Sequence, residues 1–253
     1  MKGMTPYQSH LSISAIIQAR MGSTRLPGKV LKQVLGKPLL QWIIERLQRC
    51  KYLNSIVVAT TTLPEDNPIE ALALSESVEC FRGDSEDVLS RYIGAMRRFG
   101  TDIGVRITGD CPLIDPSIVD EAIQLFLDPS SHFDYVSNCV KRTYPRGLDV
   151  EVFSFEALEQ ANRSANTKEE REHVTYYIVT HPTLFNMGSM EQKEDLSSLR
   201  LTVDTEEDFL LVSKIIEGLA EKHPHFGLPE IVTLLSNHPE WLAINAHIQQ
   251  KKV

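Results

Sequence analysis

Short apolar runs alternate with helix-patterned segments along most of this chain, and that alternation constrains the fold more than any single residue does. Residues 13–19 (Ile-Ser-Ala-Ile-Ile-Gln-Ala) have the length and apolar content of a buried strand, ended by polar and glycine residues. A turn-rich stretch follows. Leu39, Leu40, Ile43, Ile44 and Leu47 then fall on one helical face, with Pro38 as the expected first helical residue. The same unit recurs, with strands predicted at 55–60, 78–81 and 103–108 and helices at 68–75, up to Phe99, and at 116–127. Asp84 with Asp87 has the spacing of a capping box for the helix ending at Phe99, and Gly100 closes it. Repetition of this kind predicts an α/β fold with a mainly parallel sheet and helices on both faces.

The rhythm breaks over residues 133–190. This stretch holds Tyr-Pro-Arg-Gly-Leu-Asp-Val-Glu (144–151), a predicted helix at 155–162, and a polar run reaching Arg-Glu-His (171–173). It is expected to be an excursion from the sheet that forms an acceptor pocket, a dimer contact, or both. A strand is predicted at 200–204, then a helix at 206–219, and residues 220–253, which include Trp241, are expected to be helical. The polar residues 1–12 are expected to be flexible, and the whole of 1–253 to form one domain.

Composition narrows the function classes. Among 253 residues the formal net charge is −8, with both signs mixed along the chain, which argues against a broad basic surface for nucleic acid. An anionic ligand would therefore need a local basic cluster, a metal ion, or both. The four cysteines (50, 80, 111, 139) form no CxxC pair, so reduced, mostly buried thiols are expected rather than a zinc site or a disulfide framework. No apolar run approaches the roughly 20 residues of a membrane helix, and residues 1–12 lack the apolar core of a signal peptide. The expectation is a cytoplasmic protein without membrane partners.

The strongest local signal for chemistry is Arg20-Met-Gly-Ser-Thr-Arg-Leu-Pro-Gly-Lys29, which puts three cations, two hydroxyls and two glycines directly after a strand. Strand ends of open α/β sheets are where ligands bind. Glycines there let backbone N–H groups approach phosphate oxygens, while Arg and Lys neutralise charge. The loop is not a Walker A motif, since GxxxxGK[ST] is absent. Asp110 and Asp204 each follow a predicted strand, and two carboxylates from separate strand ends suit Mg²⁺, which adds waters and phosphate oxygens. Thr205 and Asp208 have capping-box spacing, so Asp208 is read as structural and Asp204 as the metal residue. In the excursion, Arg146 could clamp a carboxylate or phosphate, with Asp149, Glu151, Glu172 and His173 as further polar candidates. No Ser-His-Asp or Cys-His ordering points to a hydrolase.

The run Ile16-Ile-Gln-Ala-Arg-Met-Gly-Ser-Thr-Arg-Leu-Pro-Gly-Lys-Val-Leu31 resembles the opening signature of cytidylyltransferases that make CMP-activated acidic sugars, such as CMP-Kdo synthetase and acylneuraminate cytidylyltransferase. Five further stretches resemble the branch named after the spore coat polysaccharide biosynthesis protein SpsF. They are Asp87–Tyr92, Arg106–Asp115, Tyr144–Glu151, Arg171–Thr175 and Leu201–Asp208, in the family's order. The resemblance implies a Rossmann-like three-layer nucleotidyltransferase fold of the glycosyltransferase-A type. It implies that Arg20, Ser23, Arg25 and Lys29 hold the triphosphate of CTP, that Asp110 and Asp204 bind Mg²⁺, and that Thr108 stands near the base. Arg20, Lys29 and Asp110 would then be catalytic, and Arg146, Asp149, Glu172 and His173 would bind the acceptor. Similar enzymes are homodimers. The implied reaction is transfer of CMP from CTP to a small acidic sugar for surface polysaccharide biosynthesis, with release of pyrophosphate. A small phosphorylated acceptor, or sugar transfer from a nucleotide sugar, remains open at this level, as does a binding protein on a decayed fold of this kind.

Overall fold

The computed structural model describes residues 10–250. Within them, strands β1 (Ile13–Gln18), β4 (Ser55–Thr61), β5 (Glu79–Gly83), β6 (Ile103–Thr108), β7 (Tyr135–Ser137), β8 (Glu151–Ser154) and β9 (Met187–Ser189) form one seven-stranded sheet in the order β5-β4-β1-β6-β8-β7-β9. A two-stranded ribbon pairs β2 (Gln33–Val34) with β3 (Lys37–Pro38). The helices are α1 (Leu39–Leu47), α2 (Asn67–Ser75), α3 (Val88–Phe99), α4 (Pro116–Phe126), α5 (Phe155–Ser164), α6 (Lys168–Glu172), α7 (Tyr176–Thr180), α8 (Glu206–Leu219) and α9 (Leu228–Asn237).

β1 is parallel to both neighbours, with Ile16 opposite Val57 of β4 and Arg106 of β6. Only β8 runs against the rest, pairing antiparallel with β6 and β7. Alternation along β1 feeds two cores, one on each face of the sheet. Ile13, Ala15 and Ile17 join the larger core with Leu40, Ile43 and Ile44 of α1, whereas Ile16 joins the smaller one with Leu89, Tyr92 and Ile93 of α3. Strand order turns back beside β1, and at such a switch point the carboxyl ends of adjoining strands leave a crevice. The crevice opens at Gln18 and Thr108.

Several expectations need correction. The stretch 133–190 is not outside the sheet, because β7, β8 and β9 extend it. Buried Tyr135, Val136, Val152 and Phe153 explain this, since each short strand has an apolar face to place against a core. Residues 200–204 do not form a strand. They make a single bridge, Arg146 with Arg200, and run extended between residues 146 and 110. Asp87 alone caps α3, accepting from Ser90 N–H at 2.8 Å, while Asp84 accepts from the N–H groups of Glu86 and Asp87 in the preceding turn. Likewise Pro38 closes β3 and sits just before α1 rather than inside it.

Gly100 closes α3 in the left-handed conformation, as its position predicts (φ 63°). Residues 220–250 hold α9 and a 3₁₀ turn at Pro239–Ala243, where Trp241 stacks on His238. All four cysteines are free, but only Cys111 is buried and the others are partly exposed. Residues 1–9 of the segment expected to be flexible lie outside the described residues. Ser12 is tied on both sides to Asp102, whose carboxylate accepts its N–H at 2.8 Å and whose own N–H it accepts at 2.9 Å. Among the described residues no helix is long and apolar enough to cross a membrane.

Candidate active site

The loop after β1 is anchored rather than simply solvated. Leu26 and Val30 are buried in the larger core, and Gly28 takes a left-handed turn (φ 67°) that returns its N–H to Met21 C=O at 2.9 Å. Met21 N–H donates at 2.7 Å to Asp66, a fully buried carboxylate at the start of α2 that also accepts from the Thr61 hydroxyl. Two apolar anchors and one buried carboxylate thus fix a loop of otherwise polar residues. Its inner side lines a pocket of about 210 Å³ with Arg20, Gly22, Ser23, Thr24, Arg25 and Lys29.

Asp110 and Asp204 meet at Lys29. Its ammonium donates to Asp110 at 2.9 Å, to Asp204 at 2.8 Å and to Val203 C=O at 2.8 Å, so all three N–H groups have acceptors. Burial by itself would lower the pKa of Lys29, but the two carboxylates outweigh it and hold the group raised and charged. Desolvation would raise Asp110, and Lys29 with the Thr108 hydroxyl, at 2.5 Å, outweighs that and lowers it. The second oxygen of Asp204 forms an ion pair with Arg25 at 2.8 Å and accepts a hydrogen bond from Arg200 at 3.0 Å.

Backbone contacts bring the two aspartates together. Val203 N–H donates to Asp110 C=O at 2.8 Å, and Leu201 N–H to Arg146 C=O at 2.7 Å. Gly147 makes this approach feasible, since a Cβ there would lie 2.4 Å from the Leu201 carbonyl carbon, and its φ of 100° disfavours any side chain. Asp208 is structural as expected. It forms a reciprocal capping box with Thr205 and also accepts from Nε and one Nη of Arg200, both at 2.9 Å.

A wider cavity of about 890 Å³ adjoins the first and shares with it Gln18, Arg25, Thr108, Asp110 and Asp204. Arg146, Asp149, Glu172 and His173 all line it, so the structure gathers the four expected acceptor residues into one cavity. Their states differ. Arg142 holds Asp149 through two bonds, at 2.6 and 3.0 Å, leaving Asp149 a positioned partner rather than a free acid. Among the described residues, the side chains of Arg146, Glu172 and His173 make no ion pair or hydrogen bond, which leaves them available to a ligand. Burial lowers the His173 pKa below the usual 6.5, against the opposing pull of Glu172 and with the help of Arg106, which favours the neutral ring at pH 7.

The two aspartates converge on one point, as their shared donor shows. Mg²⁺ commonly takes one or two carboxylates plus phosphate oxygens and waters, and this donor set fits that pattern. No group of three or more His, Cys, Asp or Glu side chains suited to a metal occurs among the described residues, so the protein by itself offers no full cage.

Residues 14–231 match the family model described as cytidylyltransferase. The chain belongs to the cytidylyltransferase family. It is 33% identical over 232 residues to the spore coat polysaccharide biosynthesis protein SpsF of Bacillus subtilis, covering 89% of this chain and 94% of that one. A solved cytidylyltransferase from Leptospira borgpetersenii superposes with a TM-score of 0.88 at 33% identity, covering 96% of this chain and all of that one. A 3-deoxy-manno-octulosonate cytidylyltransferase of Geobacter sulfurreducens is 40% identical over 114 residues, 45% of this chain and 44% of its own. The expected nucleotidyltransferase fold is therefore present over nearly the whole length.

In this member of the cytidylyltransferase family, sequence reasoning missed several residues that shape the site. Arg106 of β6, itself partly buried, forms an ion pair with the buried Glu151 of β8, and Glu151 also accepts from the hydroxyls of Tyr135 (2.9 Å) and Thr175. A charged residue inside an otherwise apolar strand was the available signal for Arg106. Asp66 and Arg200 gave no such signal, because their roles depend on partners that only folding brings near. Arg20, expected to be catalytic, is exposed, and among the described residues its side chain makes one long contact, at 3.4 Å to Ser85 C=O. Ser23 accepts weakly from Leu26 N–H at 3.4 Å and lines the smaller pocket.

Proposed function

We propose that this chain is a Mg²⁺-dependent cytidylyltransferase that transfers CMP from CTP to a small acidic sugar, releasing pyrophosphate. The observation that carries the proposal is the pair of joined cavities. A narrow, glycine- and cation-lined pocket shares a wall of Arg25, Thr108, Asp110 and Asp204 with a wide polar cavity in which Arg146 has no side-chain partner among the described residues. The narrow pocket suits a triphosphate, and the wide one suits a small polyhydroxylated acceptor with one anionic group.

In this reading an acceptor oxygen attacks the α-phosphorus, the bond to the β-bridging oxygen breaks, and pyrophosphate leaves. Such transfer depends on positioning and charge neutralisation more than on covalent catalysis. Arg20, Arg25 and the N–H groups around Gly22 would hold the phosphates, and Thr108 would border the nucleoside. Arg146 would take the acceptor's anionic group, and neutral His173 could accept a hydrogen bond from its hydroxyls. Asp110 and Asp204 would hold Mg²⁺, which when bound neutralises phosphate charge and favours the deprotonated nucleophile. The same proposal includes a cytoplasmic homodimer, which light scattering on the purified chain would test.

Ligand-induced thermal stabilisation with CTP, UTP, GTP and ATP, each with and without Mg²⁺, tests the nucleotide. A ligand that binds only the native state raises stability by RT ln(1 + [L]/Kd). The expected result is a Mg²⁺-dependent shift that is largest for CTP; equal shifts for all four, or none, would sink the reading. Pyrophosphate release in an acceptor screen then separates cytidylyl transfer from sugar transfer, because only the former produces it.

A further inference from the structure

Lys29 was expected to face phosphate. The structure instead places its ammonium between Asp110 and Asp204, with a third bond to Val203 C=O and a side chain only 11% exposed. Asp204 is engaged on its other oxygen by Arg25 and Arg200, and Arg200 also pairs with Asp208. This connected cluster sets three cations against three carboxylates and is electrically neutral. A divalent ion approaching it gains no net attraction and finds the converging oxygens already used.

We propose that Lys29 is a resident cation that closes the Asp110–Asp204 pair to divalent ions in the nucleotide-free protein and gives up that place only when a triphosphate arrives. The inference rests on the nucleotidyltransferase reading given above. Lys29 can make the exchange because it lies on both sides of the boundary. Its backbone follows Gly28 at the end of the loop, its chain lines the narrow pocket, and its ammonium reaches the carboxylates. A flexible four-carbon stem lets the same charge turn toward phosphate oxygens a few ångströms away. Phosphate would draw the ammonium off the carboxylates, and the freed carboxylates, beside added negative charge, would then favour Mg²⁺. Order of binding would follow from one side chain, with nucleotide needed before tight metal binding.

The test uses Mn²⁺ as the probe, titrated into the full chain without nucleotide and followed by electron paramagnetic resonance of the free ion. Lys29→Met should bind Mn²⁺ at least about tenfold more tightly than the wild type, since removing one charge in contact with the pair exceeds that factor even with strong screening. Adding Asp204→Asn to Lys29→Met should abolish the gain. Lys29→Gln, which keeps a polar side chain of similar length, should show the same direction and provides the answer if the Met variant fails to fold. Wild-type protein that binds Mn²⁺ as tightly as the variants, or variants that gain nothing, would overturn the proposal. Nucleotide is absent throughout, so failure here is separate from failure of the CTP reading, which the thermal shifts decide.

Discussion

The backbone N–H of Asp204 donates to the side chain of Asp208 at 3.0 Å, so the carboxylate that completes the capping box of α8 with Thr205 also fixes the residue facing the cleft. Asp208 is wholly buried, and it holds Arg200 by two bonds and accepts from Asn245 at 2.8 Å. Helix capping and site geometry therefore share one side chain. Asp208→Ala should cost about 3 kcal/mol of stability, because it leaves the Arg200 guanidinium buried with only part of its compensation. Urea denaturation would measure this, and a loss below about 1 kcal/mol, the range of exposed pairs, would contradict the role assigned to the pair.

Asp110→Asn should leave the fold intact and lower turnover by about 10³-fold, since it removes a charge at the point where both cavities meet. Pyrophosphate release gives the rate, and a circular-dichroism melt checks the fold. Near-normal turnover would take Asp110 out of the chemistry.

Arg146 is the cavity guanidinium without a side-chain partner among the described residues, and burial followed by the nearby Arg142 lowers its pKa from the usual 12.5. An anionic acceptor would relieve that crowding. Arg146→Lys should raise the acceptor KM about tenfold by removing bidentate geometry, with the KM for CTP unchanged. A rise in both constants would place Arg146 on the nucleotide instead.

The Arg106–Glu151 pair predicts a pH dependence of stability. Burial would raise the Glu151 pKa, but Arg106 and the Thr175 and Tyr135 hydroxyls outweigh it and hold the group below the ordinary 4.5. A carboxyl whose folded pKa is depressed binds fewer protons when native than when unfolded. Its contribution is thus present above the unfolded pKa and lost as pH falls through the folded one. Glu151→Gln should accordingly lower the melting temperature at pH 7 and flatten its decline below pH 4.5 relative to the wild type. An unchanged acid limb would mean that Glu151 does not set it.

Asp110, Lys29 and Asp204 were each visible as candidates in the sequence, but their mutual arrangement was not. Loop composition pointed to phosphate, so Lys29 was assigned there, and nothing local shows that its ammonium reaches a residue 175 positions away. Arg200 and Asp66 are harder still, since an Arg or Asp in a polar stretch is ordinary until its burial is known.

Local pattern by itself determined the strand–helix units from β1 to α4, the cap of α8 and the Gly100 stop, because each depends on side-chain periodicity or on residues within one turn. Loop composition and position after predicted strands marked the loop and both aspartates as candidates, and the family resemblance supplied their expected roles. Tertiary structure alone decided that β7, β8 and β9 join the sheet, that residues 200–204 stay extended without a strand, and that Lys29 lies between two carboxylates. The physical reason is the same in each case. A short strand or a buried ion pair is stable only through partners distant in sequence, so its energy is set by which segments meet and not by the residues beside it.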